Sequence, residues 1–527
     1  MSPLLEALGL LVLPFVVGAP CLRALGLGDR ADRLGHLGWS SAAGCLVLGL
    51  VLFVASWLEL RLVHPGAVAD LALAGSLALA ALELTRRLRA GGRHQAPRTP
   101  PALRLAIVLA LGVALLRVVD ASLWPALTGD EAMLWGYRAR VIASSGGLGP
   151  DFVAAMADPA LRHEDYPLLV SLLQAFALEL TGEGGTVLLR LPVQAAALGL
   201  VASLAAALRR HVGGWTAAAL LVTFTALPHT RSALTSAGAE APVALGLVLA
   251  VDGWLRRRAD GDDRWLGLSA LGLALALFTK NDARLFVLAL GIGLLAARLL
   301  THVDERRAKP RTAVAWALLP GLVLGAGAAY NAWAGFENDL TTGKGTGRGL
   351  FARLIDQPLA AAPDAEGSYL TVTARFFAEE VLLHPRYDGL VLLGSLVALG
   401  PLLVLARRRR RDPDGAGPGP GHAELPGQAA PDAPTAAAGL ALAVAAGLAG
   451  LVLVYLATPQ PLAWHLASSA PRVTWQLVPL ACLALGLAVS PLATPRPGGT
   501  TTEADAAPRD TPTIPATLAQ PPTDPRP

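Results

Sequence analysis

Cysteine and lysine are both scarce in this chain of 527 residues. The three cysteines are Cys21, Cys45 and Cys482. Because all three lie in apolar segments, we interpret them as small packed residues and not as a disulfide or a metal site. The three lysines are Lys280, Lys309 and Lys344, so arginine supplies almost all of the positive charge.

Charged residues of either sign are few as well, at 16% of the chain, and the formal net charge is only +4. The arginines form no basic face. They cluster at the ends of apolar segments, where membrane topology explains them. The sequence therefore gives no indication of a nucleic-acid partner.

Apolar runs dominate the chain instead, since 54% of the residues are hydrophobic and the mean hydropathy is +0.51. A helix needs roughly 20 apolar residues to cross a hydrocarbon core of about 30 Å. Runs near this length recur throughout, which predicts an all-α polytopic membrane protein with about 12–14 transmembrane helices. The candidate spans are Pro3–Pro20, Leu37–Leu58, Gly66–Leu84, Leu103–Val119, Val187–Leu208, Trp215–Pro228, Ala241–Leu255, Trp265–Thr279, Leu285–Leu300, Ala313–Ala334, Leu390–Ala406, Ala436–Ala457 and Trp475–Leu492.

The placement of the arginines predicts the orientation, because cytoplasmic loops are enriched in Arg and Lys. The segments predicted to be cytoplasmic are Arg86–Arg104, Arg209-Arg210, Arg256–Arg258, Arg306–Arg311 and Arg407–Arg411. The loops that then share the opposite, outer side are 120–166, 229–240, 336–388 and 458–473. The apolar segment Pro167–Leu180 would upset this alternation as a full span, so we predict a short or partly inserted helix at the outer surface.

These features divide the chain into five parts. Residues 1–102 hold the N-terminal spans, and residues 103–406 form a transmembrane core with its outer loops at 120–166 and 336–388. Two segments, 407–435 and 495–527, are rich in Pro and Ala and lack apolar periodicity, which predicts a disordered cytoplasmic linker and a disordered tail. Residues 436–494 form a C-terminal transmembrane hairpin.

Two adjacent carboxylates, Asp130 and Glu131, follow an apolar span and lie at the membrane surface. Acids beside a bilayer are costly unless they are solvated or functional. One of them could act as a general base, with the other as its partner or as a metal ligand. They could equally belong to a solvated loop or cap a helix. Arg138 follows closely, and it could hold an anionic or sugar substrate or anchor the chain at the interface.

Acidic and histidine side chains recur in His163-Glu164-Asp165-Tyr166-Pro167, just before the next apolar helix. This group could bind a divalent metal or a polar head group, and it could also merely cap the helix. Because spacing fixes no second ligand cluster, the sequence leaves open whether a metal takes part.

Further polar residues lie at the outer ends of later spans. Lys280-Asn281-Asp282 interrupts an apolar region at an outward turn, where the lysine could neutralise a phosphate or simply pair with the aspartate. Glu240 begins another span and has the same two interpretations. In the last outer loop, His465 and Arg472 suit a phosphate or sugar site, but they could also belong to an ordinary interfacial turn.

Taken in order, these motifs resemble those of bacterial GT-C glycosyltransferases, closest in pattern to the branch of protein O-mannosyltransferases and aminoarabinose lipid A transferases. After the acidic first outer loop come H-E-x-x-P-L at 163–168, an acid at an outer helix start, K-N-D at 280–282 and W-H-L-x-x-S-x-x-R at 464–472. Each motif is short. Their order between Leu103 and Leu492 carries the resemblance.

The resemblance implies a GT-C-like fold with a helical outer first loop, in a multi-pass protein of the bacterial inner (plasma) membrane. Such enzymes take a sugar from a polyprenyl-phosphate carrier at the outer face and pass it to an acceptor, which can be a lipid, a glycan or a protein. The match places the catalytic base on Asp130, with Glu131 beside it. The donor phosphate would be bound by Lys280, Arg472, His465 and Arg138. Other substrate contacts would fall to His163, Glu164, Asp165 and Glu240.

Two features depart from this pattern. Relatives often carry Lys-Pro-Pro after the Glu of the first motif, where this chain has Asp165-Tyr166-Pro167, and this gives Lys280 or Arg472 more to do in binding the phosphate. The spans before Leu103 also precede the point where many relatives begin, which makes the N-terminal third a candidate addition.

The alternative function is a transporter or flippase of lipid-linked sugars, which would bind the same groups without bond cleavage. A transporter should show paired broken helices or pseudo-symmetry. An enzyme should concentrate its polar groups on one face, as this chain does, which favours an enzyme. With the GT-C resemblance and a polyprenyl phosphate as the leaving group, we expect a glycosyltransferase that works by inverting displacement. A non-catalytic membrane scaffold would leave the clustered outer acids unexplained.

Overall fold

The computed structural model of the protein describes residues 3–28, 32–59, 99–123, 129–157, 163–181, 188–301, 310–338, 348–384, 389, 391–400 and 433–493. Within these ranges the chain is helical, and the only β pairing there is an isolated bridge between Ala361 and Ser368. The predicted all-α class is confirmed. The predicted span Gly66–Leu84, residues 407–432 of the predicted linker and the predicted tail lie outside the described residues.

The helices follow the predicted spans closely. The first ten are α1 (Pro3–Ala24), α2 (Arg33–Trp57), α3 (Pro101–Leu123), α4 (Tyr137–Ser145), α5 (Pro150–Met156), α6 (Leu169–Thr181), α7 (Leu191–His211), α8 (Gly214–Ala226), α9 (Pro228–Thr235) and α10 (Glu240–Asp260). The others are α11 (Trp265–Thr279), α12 (Asp282–Thr301), α13 (Pro310–Ala334), α14 (Leu350–Asp356), α15 (Tyr369–Phe376), α16 (Val391–Gly400), α17 (Ala433–Leu456), α18 (Leu462–Trp475) and α19 (Val478–Ala493). Because α17 begins at Ala433, the last three residues of the predicted linker are helical.

Six of the described helices are long and apolar enough to cross a membrane, or up to eight spans if each of two bent helix pairs counts as one. The bent pairs are α9 with α10, at 108°, and α18 with α19, at 44°. Shorter apolar helices accompany them, namely α6, α8, α11 and α16. The protein is therefore a polytopic membrane protein, although length and composition alone support fewer spans in the described part than the roughly 12–14 predicted for the whole chain.

Close helix packing holds the centre of the bundle together, where α10 lies against α11 and α7. Gly246 of α10 and Gly272 of α11 face each other, and a Cβ at either position would overlap the backbone carbonyl of the other. Small residues at helix contacts matter in membranes because lipid leaves van der Waals packing as a main attraction between helices. Helices α1 and α2 pack on α7 within this same core, so the described part of the N-terminal third is built into the bundle.

The segment predicted to lie at the outer surface is α6. It is short, with 13 residues, but every residue from Leu169 to Leu178 is buried. Helix α6 packs against α2 and α4 inside the protein, and its partial insertion at the outer side of the membrane stays a prediction. Its polar side chains find partners inside the protein, since Ser171 donates to the carbonyl of Trp135 at 3.3 Å and Gln174 donates to the carbonyl of Ala237 at 3.0 Å.

Candidate active site

A cavity of about 1210 Å³ lies where several helices begin or end. Twelve of its 20 lining residues are polar, and six of these are Asp, Glu or Arg. The lining includes Asp120, Asp130, Glu131, His163, Arg190, Ser232, Thr235, Ser236, Glu240, Gln460, Trp464, Ser468 and Arg472.

The bend between α9 and α10 forms one wall of this cavity. Between residues 235 and 240 the backbone leaves the helical path, so its N–H and C=O groups need other partners. The Ala237 N–H donates to Glu131 Oε1 at 3.0 Å, and Gln174 donates to the Ala237 carbonyl. Gln194 donates to the Thr235 carbonyl at 3.1 Å. These buried side chains hold the bend in place, and α10 then begins with Glu240 at the cavity.

Five charged side chains of alternating sign run from the cavity into the protein. Arg472 Nη2 donates to Asp130 Oδ2 at 2.8 Å, and its Nη1 lies 3.5 Å from Glu240 Oε1. Lys280 Nζ lies 3.9 Å from the same Glu240 oxygen and 2.9 Å from Asp282 Oδ2. Glu240 and Lys280 are buried, whereas the Asp130 side chain is 45% exposed. The series therefore ends at an accessible carboxylate.

The electrostatics of this series keep Asp130 and Lys280 charged. Burial alone would raise the pKa of Asp130, but the Arg472 guanidinium in contact with it and the more distant Lys280 hold the pKa below its usual value. Burial would also lower the pKa of Lys280, but the Asp282 and Glu240 carboxylates raise it above its usual value. At neutral pH the cavity therefore presents Asp130 as an anion that can accept a proton.

Glu131 adjoins Asp130 in the sequence but has different partners. It lies in a π-helical turn, Glu131–Gly136, that leads into α4. Its carboxylate accepts from Arg190 Nε at 2.7 Å and from Arg190 Nη2 at 3.0 Å, in addition to the Ala237 N–H. Arg190 also donates to the Ala121 carbonyl at 2.6 Å. This buried pair joins the π-helical turn, the end of α3 and the α9–α10 bend.

The H-E-x-x-P-L motif forms a tight turn beside the cavity. His163 lines the cavity, has a φ of +65°, and stacks its ring on Tyr166 with centroids 4.5 Å apart. Asp165 Oδ2 accepts from Asn281 at 2.5 Å and from Asn338 at 2.6 Å. Asp165 therefore ties this turn to the hairpin tip between α11 and α12 and to the chain that follows α13.

Arg138 and Glu164 support the same turn from behind. Arg138 is buried and donates to the backbone carbonyls of Glu164 at 2.6 Å and of Tyr166 at 3.1 Å. The Glu164 carboxylate accepts from the Glu337 N–H at 3.4 Å. The described residues that line the cavity do not include Arg138, Glu164 or Asp165. The structure thus places these three predicted contact residues outside the lining of the cavity.

Helix α18 begins at the cavity. Asp364 accepts from the backbone N–H groups of Leu462 at 3.1 Å and of Ala463 at 2.8 Å, and so caps this helix. Trp464 lines the cavity and is 58% exposed. His465 is directed elsewhere, since its Nδ1 lies 2.6 Å from Thr458 Oγ1. Of the W-H-L-x-x-S-x-x-R motif, the tryptophan and the arginine reach the cavity and the histidine does not.

The described ranges contain no group of three or more His, Cys, Asp or Glu side chains that could hold a metal ion. The structure therefore adds no observation in favour of a metal site. His163 and Asp165 illustrate the reason. The Asp165 carboxylate accepts hydrogen bonds from two side-chain amides, whereas the His163 ring stacks on a tyrosine.

Two residues at the site, Arg190 and Asp364, were not predicted from the sequence. Arg190 lies inside the predicted span Val187–Leu208, and an ionisable residue within an apolar span is by default a candidate functional residue, so a signal for it existed. Asp364 has no such signal, because it is one acid in a long polar loop and the Leu462 N–H that it accepts from lies 98 residues further along the chain.

Comparison with known proteins adds a family to this geometry. Residues 165–326 match the family described as dolichyl-phosphate-mannose-protein mannosyltransferase. This family belongs to the GT-C superfamily. The GT-C resemblance is confirmed. The match supports a membrane glycosyltransferase that uses a polyprenyl-phosphate-linked sugar and an acceptor. No curated protein and no solved structure matches the chain.

The matched segment covers only part of the site. It contains Arg190, Glu240 and Lys280, whereas Asp130 precedes it and Arg472 follows it. The contacts of Arg472 with Glu240 and Asp130 therefore join the GT-C-like segment to the chain on both sides of it.

Proposed function

We propose that this protein is an inverting glycosyltransferase that works at the outer membrane face and transfers a sugar from a polyprenyl-phosphate carrier to an acceptor hydroxyl. The observation that carries the proposal is the Asp130–Arg472 pair at the cavity. It puts a carboxylate that can accept a proton beside a cation that can bind a phosphate. Ligand pockets usually enclose roughly 300–1,000 Å³, and a cavity above that range has room for a sugar phosphate and an acceptor together.

In the proposed step, Asp130 accepts the proton of the acceptor hydroxyl while the acceptor oxygen bonds to the anomeric carbon. The bond between this carbon and the phosphate oxygen breaks, and its electron pair leaves with the polyprenyl phosphate. Attack from the side opposite to the phosphate inverts the configuration. Because the phosphate is a good leaving group, the step needs a base and cations more than a strong acid.

Arg472 and Lys280 are the cations proposed to stabilise the leaving phosphate. The Arg472 side chain is 34% exposed, and a planar guanidinium can donate two parallel hydrogen bonds to a phosphate. Lys280 lies behind Glu240 and is 5% exposed. We therefore assign the first contact to Arg472, with Lys280 adding positive charge from behind.

Glu131 is assigned a positioning role, although the sequence grouped it with the catalytic base. Its carboxylate accepts three hydrogen bonds from Arg190 and the Ala237 N–H, whereas Asp130 has the accessible carboxylate. His163 and Trp464 line the cavity and are proposed to contact the substrate. Asp165, Arg138 and His465 are proposed to position these contact residues.

The outer location rests on the arginine distribution and on the resemblance to bacterial inner-membrane enzymes. Asp130, Glu240, Lys280 and Arg472 come from segments that the arginines assign to one side of the membrane, and these residues contact one another. This agreement supports a single site on that side.

Purified protein in lipid, incubated with radiolabelled polyprenyl-phosphate sugars and a panel of hydroxyl acceptors, tests the proposal. We expect the label to leave the carrier only when an acceptor is present, and the product to have the anomeric configuration opposite to that of the donor. Retained configuration would overturn the inverting step. If the label stays on the intact carrier with every acceptor, the proposal of an enzyme is contradicted.

A transporter or flippase of lipid-linked sugars is the second candidate, and one observation favours it. The two bent helix pairs meet at the cavity, with Glu240 at the bend between α9 and α10 and Arg472 just before the bend between α18 and α19. Transporters often bind substrates at such broken helices. It ranks second because the family match is to a glycosyltransferase. Movement of intact labelled donor between leaflets would establish it.

A further inference from the structure

Three large apolar side chains in the predicted outer loop 336–388 are left uncovered by the described part of the chain. Phe351 and Ile355 of α14 and Leu359 of the turn after it are spaced four residues apart, and their relative exposures are 80%, 79% and 83%. Residues four apart lie on the same face of a helix, as Phe351 and Ile355 do, and Leu359 follows three residues after the helix ends. We name these three residues the 351–359 stripe. An exposed apolar group of this kind marks a surface that something else covers.

Helix α14 and the residue after it are attached to the bundle near the end of a candidate membrane span. Arg353 is buried, and Gln357 Nε2 donates to the Thr458 carbonyl at 3.2 Å. Helix α17, against which α14 packs, is long and apolar enough to cross a membrane and ends at Leu456. Because Thr458 follows that end by two residues, α14 lies at the level where a span leaves the bilayer.

The loop lies on the same side of the membrane as the cavity. Asp364 caps the first turn of α18, the helix that brings Trp464 and Arg472 to the cavity. The loop therefore supports one wall of the site.

The span that leads into this loop is left mostly uncovered by the described part of the protein. Only 6% of the apolar window of α13 is buried inside the protein. Its C-terminal end lies near the cavity, since Asn331 donates to the Asp165 carbonyl at 2.9 Å, and Trp333 beside it is 51% exposed. Tryptophan at the end of a span is typical of the membrane interface. The bilayer surface thus reaches the protein at the end of α13, from which the loop departs.

We propose that the 351–359 stripe inserts into the interfacial region of the bilayer on the cavity side and anchors the loop there. The occupant is lipid, because the stripe is apolar, lies at the height where α17 ends and belongs to the loop that follows a lipid-facing span. Through Asp364, this anchor holds the helix that carries Arg472 at a fixed height relative to the membrane. The proposal concerns a lipid contact and does not depend on the transfer reaction.

Site-directed spin labelling of the full chain in nanodiscs of phosphatidylethanolamine and phosphatidylglycerol tests this anchor. The background carries Cys21→Ala, Cys45→Ala and Cys482→Ala. The matched pair is Ile355→Cys in the stripe and Asp356→Cys beside it, whose native side chain is 54% exposed. Successive helical residues differ by about 100° in direction, so the two labels face different surroundings. Leu359→Cys provides a second stripe position.

We expect power saturation to show that labels at positions 355 and 359 collide more with oxygen than with a water-soluble nickel complex, and that the label at position 356 shows the reverse. Equal access of the nickel complex to all three positions in monodisperse samples would overturn the proposal. It would leave a protein partner as the occupant of the stripe. The measurement does not depend on transfer activity, so a result that contradicts the lipid anchor would not bear on the proposed function.

Discussion

Arg472 and Asp130 are 342 residues apart in the sequence, and their side chains meet at 2.8 Å. Two other groups direct the same guanidinium, because its Nε donates to the Ser468 carbonyl at 3.0 Å and its Nη1 lies 3.5 Å from Glu240. A guanidinium held from three directions is already oriented before a substrate arrives. A change at Arg472 should therefore disturb both the proton acceptor and the phosphate contact.

Arg472→Gln should move the acidic limb of the pH–rate profile to higher pH. Arg472 lowers the pKa of Asp130 below its ordinary value of 3.8, so the carboxylate stays ionised as the pH falls toward that value. Without Arg472, burial raises the pKa with less opposition, and Asp130 takes up its proton at a higher pH. Loss of a charge-stabilising donor should also slow transfer on the order of a hundredfold. The measurement is kcat/KM across the acid range.

The control for this prediction is Arg375→Gln, because the Arg375 side chain is 74% exposed and pairs with Glu379 outside the site. Its acidic limb should coincide with that of the unmodified protein. An unshifted limb in Arg472→Gln would mean that Asp130 is not the group whose protonation stops the reaction.

Lys280→Ala should raise the KM for the donor more than it lowers kcat, because it removes positive charge behind the phosphate contact. The change also removes the lysine partner of Asp282 and leaves Glu240 with Arg472 alone. Breaking a buried ion pair costs about 3–5 kcal/mol, so the melting temperature should fall. Lys280→Arg keeps the charge and should be milder in both respects. A folded Lys280→Ala variant with unchanged donor dependence would leave the phosphate contact to Arg472 alone.

Glu131→Gln should destabilise the protein more than Asp130→Asn does. Glu131 and Arg190 form a buried pair, with side chains 7% and 5% exposed, and removing one charge of such a pair costs about 3–5 kcal/mol. Glu131→Gln combined with Arg190→Met should recover part of the loss, since no buried charge is then unpaired. Thermal unfolding in detergent measures this. Normal stability of Glu131→Gln with transfer abolished would make Glu131 part of the chemistry.

Much of the fold was predictable from the sequence, because span length and hydropathy set most helix ends, as in Trp265–Thr279. The order of the motifs also indicated that Asp130, Glu240, Lys280 and Arg472 share a site. The different contacts of Asp130 and Glu131 were not predictable. They depend on a π-helical turn and on Arg190, 59 residues away from Glu131. The helices that bury α6 likewise come from distant parts of the chain, which its own sequence does not reveal.

The orientation predicts which single cysteines an impermeant reagent labels in intact cells, in the background without native cysteines. Ser144→Cys, in an exposed position of the first outer loop, should be labelled. Ala259→Cys, exposed next to the arginines at 256–258, should not. Ser144 serves better than Gly147 nearby, where a Cβ would lie 2.7 Å from the Ser56 carbonyl oxygen. The opposite pattern of labelling would reverse the orientation.

The central claim is that Asp130 accepts the proton of the acceptor, and the turnover of Asp130→Asn in a purified transfer assay tests it most directly. The matched control is Asp120→Asn, because Asp120 lines the same cavity with a similar exposure of 46% and pairs with Arg117 at 3.3 Å. A positioned general base contributes about 10²–10⁴-fold, so Asp130→Asn should lose that much turnover while it still folds and binds donor. Asp120→Asn should stay near the unmodified rate. Near-normal transfer by Asp130→Asn would contradict the mechanism.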